Sequence, residues 1–174
     1  MGLTWKNLGV LFATLAASGV WLGTSWGGGA PVPAFSPVSH KAAAMECAAC
    51  HMAYPAGLLP ARSWTRMMRE LDNHFGEDAS LSPEETLAIT RYLVENAADS
   101  PRANERSRRI ASGIAPADSP QRFSDTPYFR YLHDEVPAAV WKRAKIASRA
   151  NCIACHTRAE SGSFAEREIK IPKE

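Results

Sequence analysis

Cys47-Ala48-Ala49-Cys50-His51 and Cys152-Ile153-Ala154-Cys155-His156 are the two stretches from which the rest of this chain is read. Two thiols at that spacing reach the two vinyl groups on one edge of a haem. The histidine directly after them then meets the iron from one face. All four cysteines of the chain lie in these two motifs. Two disulfides, or the paired knuckles of a zinc ribbon, would also use four cysteines, but neither needs a histidine after each pair. With five histidines in 174 residues, finding one after both pairs argues for haem. Cys47, Cys50, Cys152 and Cys155 are therefore the expected attachment points of two covalent haem c groups, with His51 and His156 as proximal iron ligands.

The remaining composition is that of a globular protein. Hydrophobic residues make up 45% and charged residues 22%, and the formal charge is +2. So small a charge, with no long basic run, gives no basis for nucleic-acid binding. Each haem adds two propionates, so the assembled protein would be mildly acidic.

After Lys6 and Asn7 comes an uncharged apolar run, Leu8 to Trp26. As a helix it would be about 28 Å long, close to the thickness of a bilayer core. Trp5 and Trp26 bracket it, and Lys6 lies on the side expected to stay cytoplasmic. Residues 1–26 thus read as a signal peptide, with Val32-Pro33-Ala34 as a passable cleavage site, or as an uncleaved membrane anchor. Either places the remainder in the periplasm, free or tethered. Residues 27–37, rich in Gly and Pro, read as a linker. An N-terminal haem lobe over 38–100 and a C-terminal haem lobe over 101–174 follow.

No segment shows the alternation of a sheet, so the expected fold is mostly α with long loops. A helix over Ser39–His51 would deliver the first motif. Trp64, Met67, Met68 and Leu71 form one apolar face of a helix predicted over Ala61–His74 and ended by Gly76. Ser82-Pro83-Glu84-Glu85 opens the next, with Ser82 as N-cap, Pro83 at its first position and Glu85 completing a capping box. Its buried stripe is Ile89, Tyr92, Leu93 and Ala97. Residues 99–125 are polar, with a basic stretch around Arg102, Arg106, Arg108 and Arg109 that suits a short connecting helix. A further helix is predicted over Val136–Ala150, with Trp141 inward and Lys142, Arg143, Lys145 and Arg149 outward.

Each iron needs a sixth ligand, and its identity separates a carrier from a catalyst. His74 and His133 each lie within reach of a motif in sequence, whereas His40 sits at the linker edge and reads as a surface or capping residue. Met67 and Met68 suit a helix core, and Met45 and Met52 lie too close to the attachment site to reach the opposite face. Two histidines per iron leave no open position for substrate.

The chain resembles the bacterial dihaem cytochrome c (DHC) family, small exported electron carriers, over Glu46 to Pro172. Beyond the haem motifs, the likeness rests on Tyr54-Pro55, on Leu58-Leu59-Pro60-Ala61-Arg62-Ser63-Trp64 and on His74-Phe75-Gly76-Glu77-Asp78-Ala79-Ser80-Leu81. Thr126-Pro127-Tyr128-Phe129 and Gly162-Ser163-Phe164 extend it. The resemblance implies a small two-lobed fold and bis-histidine low-spin haems with His74 and His133 as distal ligands. As partners it implies a membrane b-type cytochrome and a small c-type cytochrome; a larger respiratory or photosynthetic complex is a further candidate. Local pairing, His51 with His74 and His133 with His156, is expected. The competing reading is a dihaem, peroxidase-like enzyme with one open iron, for which no acid/base pocket residues are evident. Lys142, Arg143, Lys145, Arg149 and Arg158 read as a docking surface, as partners of propionates, or as a solvated face.

Overall fold

The capping box at Ser82 is present and opens the longest helix. In the computed structural model, which describes residues 33–174, the Ser82 hydroxyl accepts from the Glu85 amide at 3.2 Å, and the Glu85 carboxylate takes the Ser82 amide at 3.3 Å. Six α-helices follow in chain order: α1 (Lys41–Glu46), α2 (Ala61–Arg69), α3 (Pro83–Glu95), α4 (Glu105–Ser112), α5 (Pro127–Leu132) and α6 (Ala138–Trp141). Single 3-10 turns and long loops join them, and there is no strand among the described residues. The fold is small and mostly α, as expected. The apolar run of 1–26 and most of the linker lie outside the described residues. None of the described helices is long and apolar enough to cross a membrane.

α2 packs on α3, and this pair forms the first apolar core. Trp64 and Met68 of α2 meet Ile89 and Leu93 of α3, with Ala43, Ala56, Leu59 and Ala97 around them. Trp64 also donates its indole N–H to the Ala56 carbonyl at 2.8 Å, so its one polar group is satisfied inside. Ile89, Leu93 and Ala97 are fully buried, as their spacing predicts, while Tyr92 is half-buried and its hydroxyl accepts from the Ser39 amide at 3.0 Å. A second core forms where α4 buries Ile110, followed by Ile114, against Phe35 and Leu58. The basic stretch therefore builds a helix whose buried stripe serves structure, with its arginines outside.

Three predicted helices come out shorter. α1 stops at Glu46 because the residues from Cys47 onward turn to present the motif. α2 stops at Arg69, a 3-10 turn follows over Leu71–Asn73, and His74 lies beyond it on a reversal. The predicted helix over 136–150 is reduced to the one turn of α6. Beyond it, other bonds compete with the helical ladder: Arg143 donates to the Pro172 carbonyl, Asn151 donates to the Ile146 carbonyl five residues back, and Ala147 takes a φ of 59°. Burial of Ile146 fixes this irregular path.

The C-terminal segment returns across the second motif, where the Lys170 amide donates to the Cys155 carbonyl at 2.9 Å. Gly162 is required at its position. Its φ is +75°, and a β-carbon there would strike the Phe35 backbone, whose amide donates to the Gly162 carbonyl at 3.1 Å.

Candidate functional site

The local structure of each motif explains how its histidine is aimed. At the first motif, His51 holds its ring by an Nδ1 hydrogen bond to the Met52 carbonyl at 2.8 Å, leaving Nε2 free. His74 approaches from a tight reversal. His74 and Glu77 exchange backbone hydrogen bonds at 2.7 and 3.3 Å, and Phe75 and Gly76 between them have φ values of 58° and 101°. Positive φ at both central residues matches the twist of a two-residue hairpin turn. Phe75 accepts a left-handed conformation that a bulky residue avoids, and its ring is covered by the Arg122 guanidinium at 3.9 Å. The His51 and His74 ring centroids lie 6.2 Å apart, with planes 33° apart.

The second motif uses a different device. Thr126 caps α5, accepting from the Phe129 amide at 3.2 Å, and Pro127 occupies the first helical position. α5 ends at His133, whose Nδ1 bonds the Phe129 carbonyl one turn back at 2.9 Å while its ring stacks on the Phe129 ring at 4.1 Å. Trp141 of α6 is half-buried and closes the box, 5.8 Å from His133. Opposite stands His156, 6.1 Å from His133 with planes 79° apart, and Phe164 lies 5.2 Å from it. The His156 Nδ1 is buried and has no protein partner.

These distances suit one iron per pair. Two imidazoles bound through nitrogen on opposite faces of one metal, with bonds of about 2 Å, have centroids about 6 Å apart. All four cysteines are free, so the disulfide alternative does not hold. The two Cys-x-x-Cys pairs do not converge: no group of three or more His, Cys, Asp or Glu that could hold a bare metal ion occurs among the described residues. A zinc knuckle needs such a group. A cavity of about 730 Å³ opens between His51 and His74, lined by Cys47, Cys50, Tyr54, Met67, Leu71 and Leu81 among others. That volume lies within the range of cofactor sites. Its polar rim includes Arg122 and Arg149, a suitable charge for haem propionates. The residues present fit two haem c groups.

Burial controls the protonation of these groups. It lowers His74, helped by His51 and Arg122, and it lowers His156, helped by His133. Both shifts favour the neutral imidazole, the form that binds a metal. Burial raises Cys47 and Cys155, and pushes Cys152 up to about 11. Tyr54 is pushed up to about 12 by burial, then by nearby Cys152.

His40 is the N-cap of α1, its Nδ1 accepting from the Ala43 amide at 3.3 Å, and it belongs to neither pair. Met68 and Met52 are buried, Met68 in the first core, and Met45 is exposed, while Met67 lines the cavity. Sequence reasoning quoted Tyr54 only within the family likeness and gave it no role; its hydroxyl reaches across to the Ala150 carbonyl at 2.6 Å. Phe129 and Phe164 were likewise quoted there without a role, and they wall the second centre. The Thr-Pro pair before α5 was a readable helix start.

A small helical chain with two Cys-x-x-Cys-His motifs, each facing a second histidine, belongs to the class of multihaem c-type cytochromes. Residues 43–164 match the family model described as dihaem cytochrome c. The chain is similar to a dihaem cytochrome c from Rhodobacter sphaeroides, at 49% identity and a TM-score of 0.66. The match covers 74% of this chain and 99% of that one. A dihaem cytochrome type c from Shewanella baltica matches at 37% identity and a TM-score of 0.62, covering 75% and 91%. No curated protein matches. The chain belongs to the dihaem cytochrome c family, and it carries two covalently bound haem c groups.

Proposed function

We propose that this protein is a periplasmic one-electron carrier in which His51 and His74 ligate one haem iron and His133 and His156 the other. Cys47 and Cys50 would hold the first haem, and Cys152 and Cys155 the second. The observation that carries the reading is the facing histidine at about 6 Å in each centre. When bound, each haem supplies one reversible ferric–ferrous couple. The chain's own residues would orient it: the carbonyls of Met52 and Phe129 fix two of the imidazoles, and Arg122 and Arg149, which line the first cavity, would offer counter-charge to propionates. A filled sixth position gives substrate no place on the iron, which favours electron transfer over a peroxidase-like activity.

The surface supports separate partners at the two ends of the chain. Residues 33–100 carry nine acidic and five basic side chains, whereas residues 101–174 carry nine acidic and fourteen basic. An acidic redox protein would be steered to the C-terminal half, where Lys142, Lys145 and Arg158 are exposed. Family likeness favours a membrane b-type cytochrome and a small c-type cytochrome as partners. The apolar run over 8–26 and the export needed for covalent haem attachment favour a periplasmic site, tethered if the run is retained.

Carbon monoxide tests the ligation. The reduced holoprotein should not bind it. His74→Ala and His133→Ala should each open one iron to carbon monoxide and leave the other spectrum as it was. Stoichiometric binding by the unaltered protein would show an open centre and favour the enzyme reading.

A further inference from the structure

We propose that Tyr54 is a positioning residue that sets the relation between the two haem centres, holding the segment that delivers Cys152 against the His51 imidazole. The inference rests on the two-centre reading above. Tyr54 follows the first motif closely, and its ring lies 4.9 Å from the His51 ring, tilted by 37°. Its hydroxyl donates at 2.6 Å to the carbonyl of Ala150, 96 positions away in sequence and two before Cys152. It packs against both apolar cores, at the joint between them. Ala150 and Cys152 also line the cavity that opens beside His51, so the second motif reaches the wall of the first centre.

The segment before Cys152 needs such a tether. Beyond α6 it has no helical ladder, Ala147 sits at a φ of 59°, and the Cys152 amide bonds only as far back as the Ala150 carbonyl. A chain without regular structure takes its position from a few long-range bonds. Here those are Tyr54 to Ala150 and the bond from Arg143 to the C-terminal segment, while Asn151 bonds the Ile146 carbonyl within the segment itself. Of these, only the Tyr54 bond crosses to the first centre. Electron exchange between two centres depends steeply on their separation, so a bond that fixes this separation tunes the relay without touching either iron.

Tyr54→Phe keeps the ring on His51 and removes only the donor. In the holoprotein, the dipolar coupling between the two ferric irons, read by pulsed electron paramagnetic resonance, should change. Intramolecular electron exchange should slow several-fold, with two haems still bound and both low-spin. Tyr54→Leu, lacking the ring as well, should alter both at least as much. Tyr92→Phe also loses a hydroxyl hydrogen bond but lies away from the joint, and it should match the unaltered protein. Unchanged coupling and exchange in Tyr54→Phe would overturn the proposal. So would a Tyr54→Leu protein that matches wild type, should the Phe variant not yield holoprotein. Carbon monoxide binding by the unaltered protein would instead defeat the bis-histidine reading, so the two failures are distinguishable.

Discussion

The first centre borrows its rigidity from an apolar helical core and a strained turn, whereas the second is built from stacked aromatic rings at the end of a short helix. His74 sits at the base of a reversal with Phe75 and Gly76 at positive φ, beside α2, which packs into the first core. His133 is clamped between its own helix carbonyl and the Phe129 ring, and His156 rests on Phe164 with no bond at Nδ1. The difference appears in the rings themselves, whose planes are 33° apart in one pair and 79° in the other. If each pair ligates one iron, as proposed, the two centres would differ in ligand field, and a relay would have two distinguishable steps.

Damage to each support should stay on its own side. Trp64→Ala removes a buried indole from the first core, and should cost about 3–5 kcal/mol. Denaturant unfolding measures that loss, and the spectrum of the His51 centre should broaden first. Gly162→Ala forces a β-carbon against the Phe35 backbone in a left-handed conformation, and should cost about 2 kcal/mol by the same measurement. Because Gly162 lies beside Phe164, the second centre should respond. Phe129→Leu keeps the backbone acceptor for His133 but removes the stacked ring, for about 1 kcal/mol. The angle between the second pair's rings should shift, with the first pair's signal unchanged.

The smallest effect concerns Glu168, which the Ser163 hydroxyl, then Arg158 and Arg167, holds below its ordinary value of 4.5. A lowered carboxylate stabilises the fold above that value and loses its contribution as pH falls through the folded-state value. Acid titration of Glu168→Gln against the unaltered protein should therefore show a gap in stability at neutral pH that closes as pH falls through the lowered folded-state value of the carboxylate. A constant gap would mean that the carboxylate's charge plays no part.

How much of this was legible in the sequence depends on range. The Cys-x-x-Cys-His motifs, the capping box at Ser82 and the Trp64/Met68 face are local patterns, and they appear as read. The lengths of the helices around His74 and Trp141 were not legible, because long-range bonds end them: Leu71 accepts from Ala79, and Arg143 reaches Pro172. Composition suited both segments to helix, and tertiary contacts overrode it. Tyr54 stood in plain view beside the first motif, but its partner is a backbone carbonyl on another part of the chain. No side-chain pattern announces such a contact. Phe129 likewise gains its meaning only when α5 turns His133 back onto it.

The proposed carrier would hold two saturated irons, each between a local histidine pair whose ring planes lie 33° apart in one pair and 79° apart in the other. Low-temperature electron paramagnetic resonance of the oxidised holoprotein reads this directly. Near-parallel imidazole planes split the iron orbitals and give a rhombic low-spin signal, while near-perpendicular planes leave them almost degenerate and give a strongly anisotropic one. One signal of each kind is expected in equal amount, with no high-spin iron. A high-spin component, or two identical rhombic signals, would contradict it.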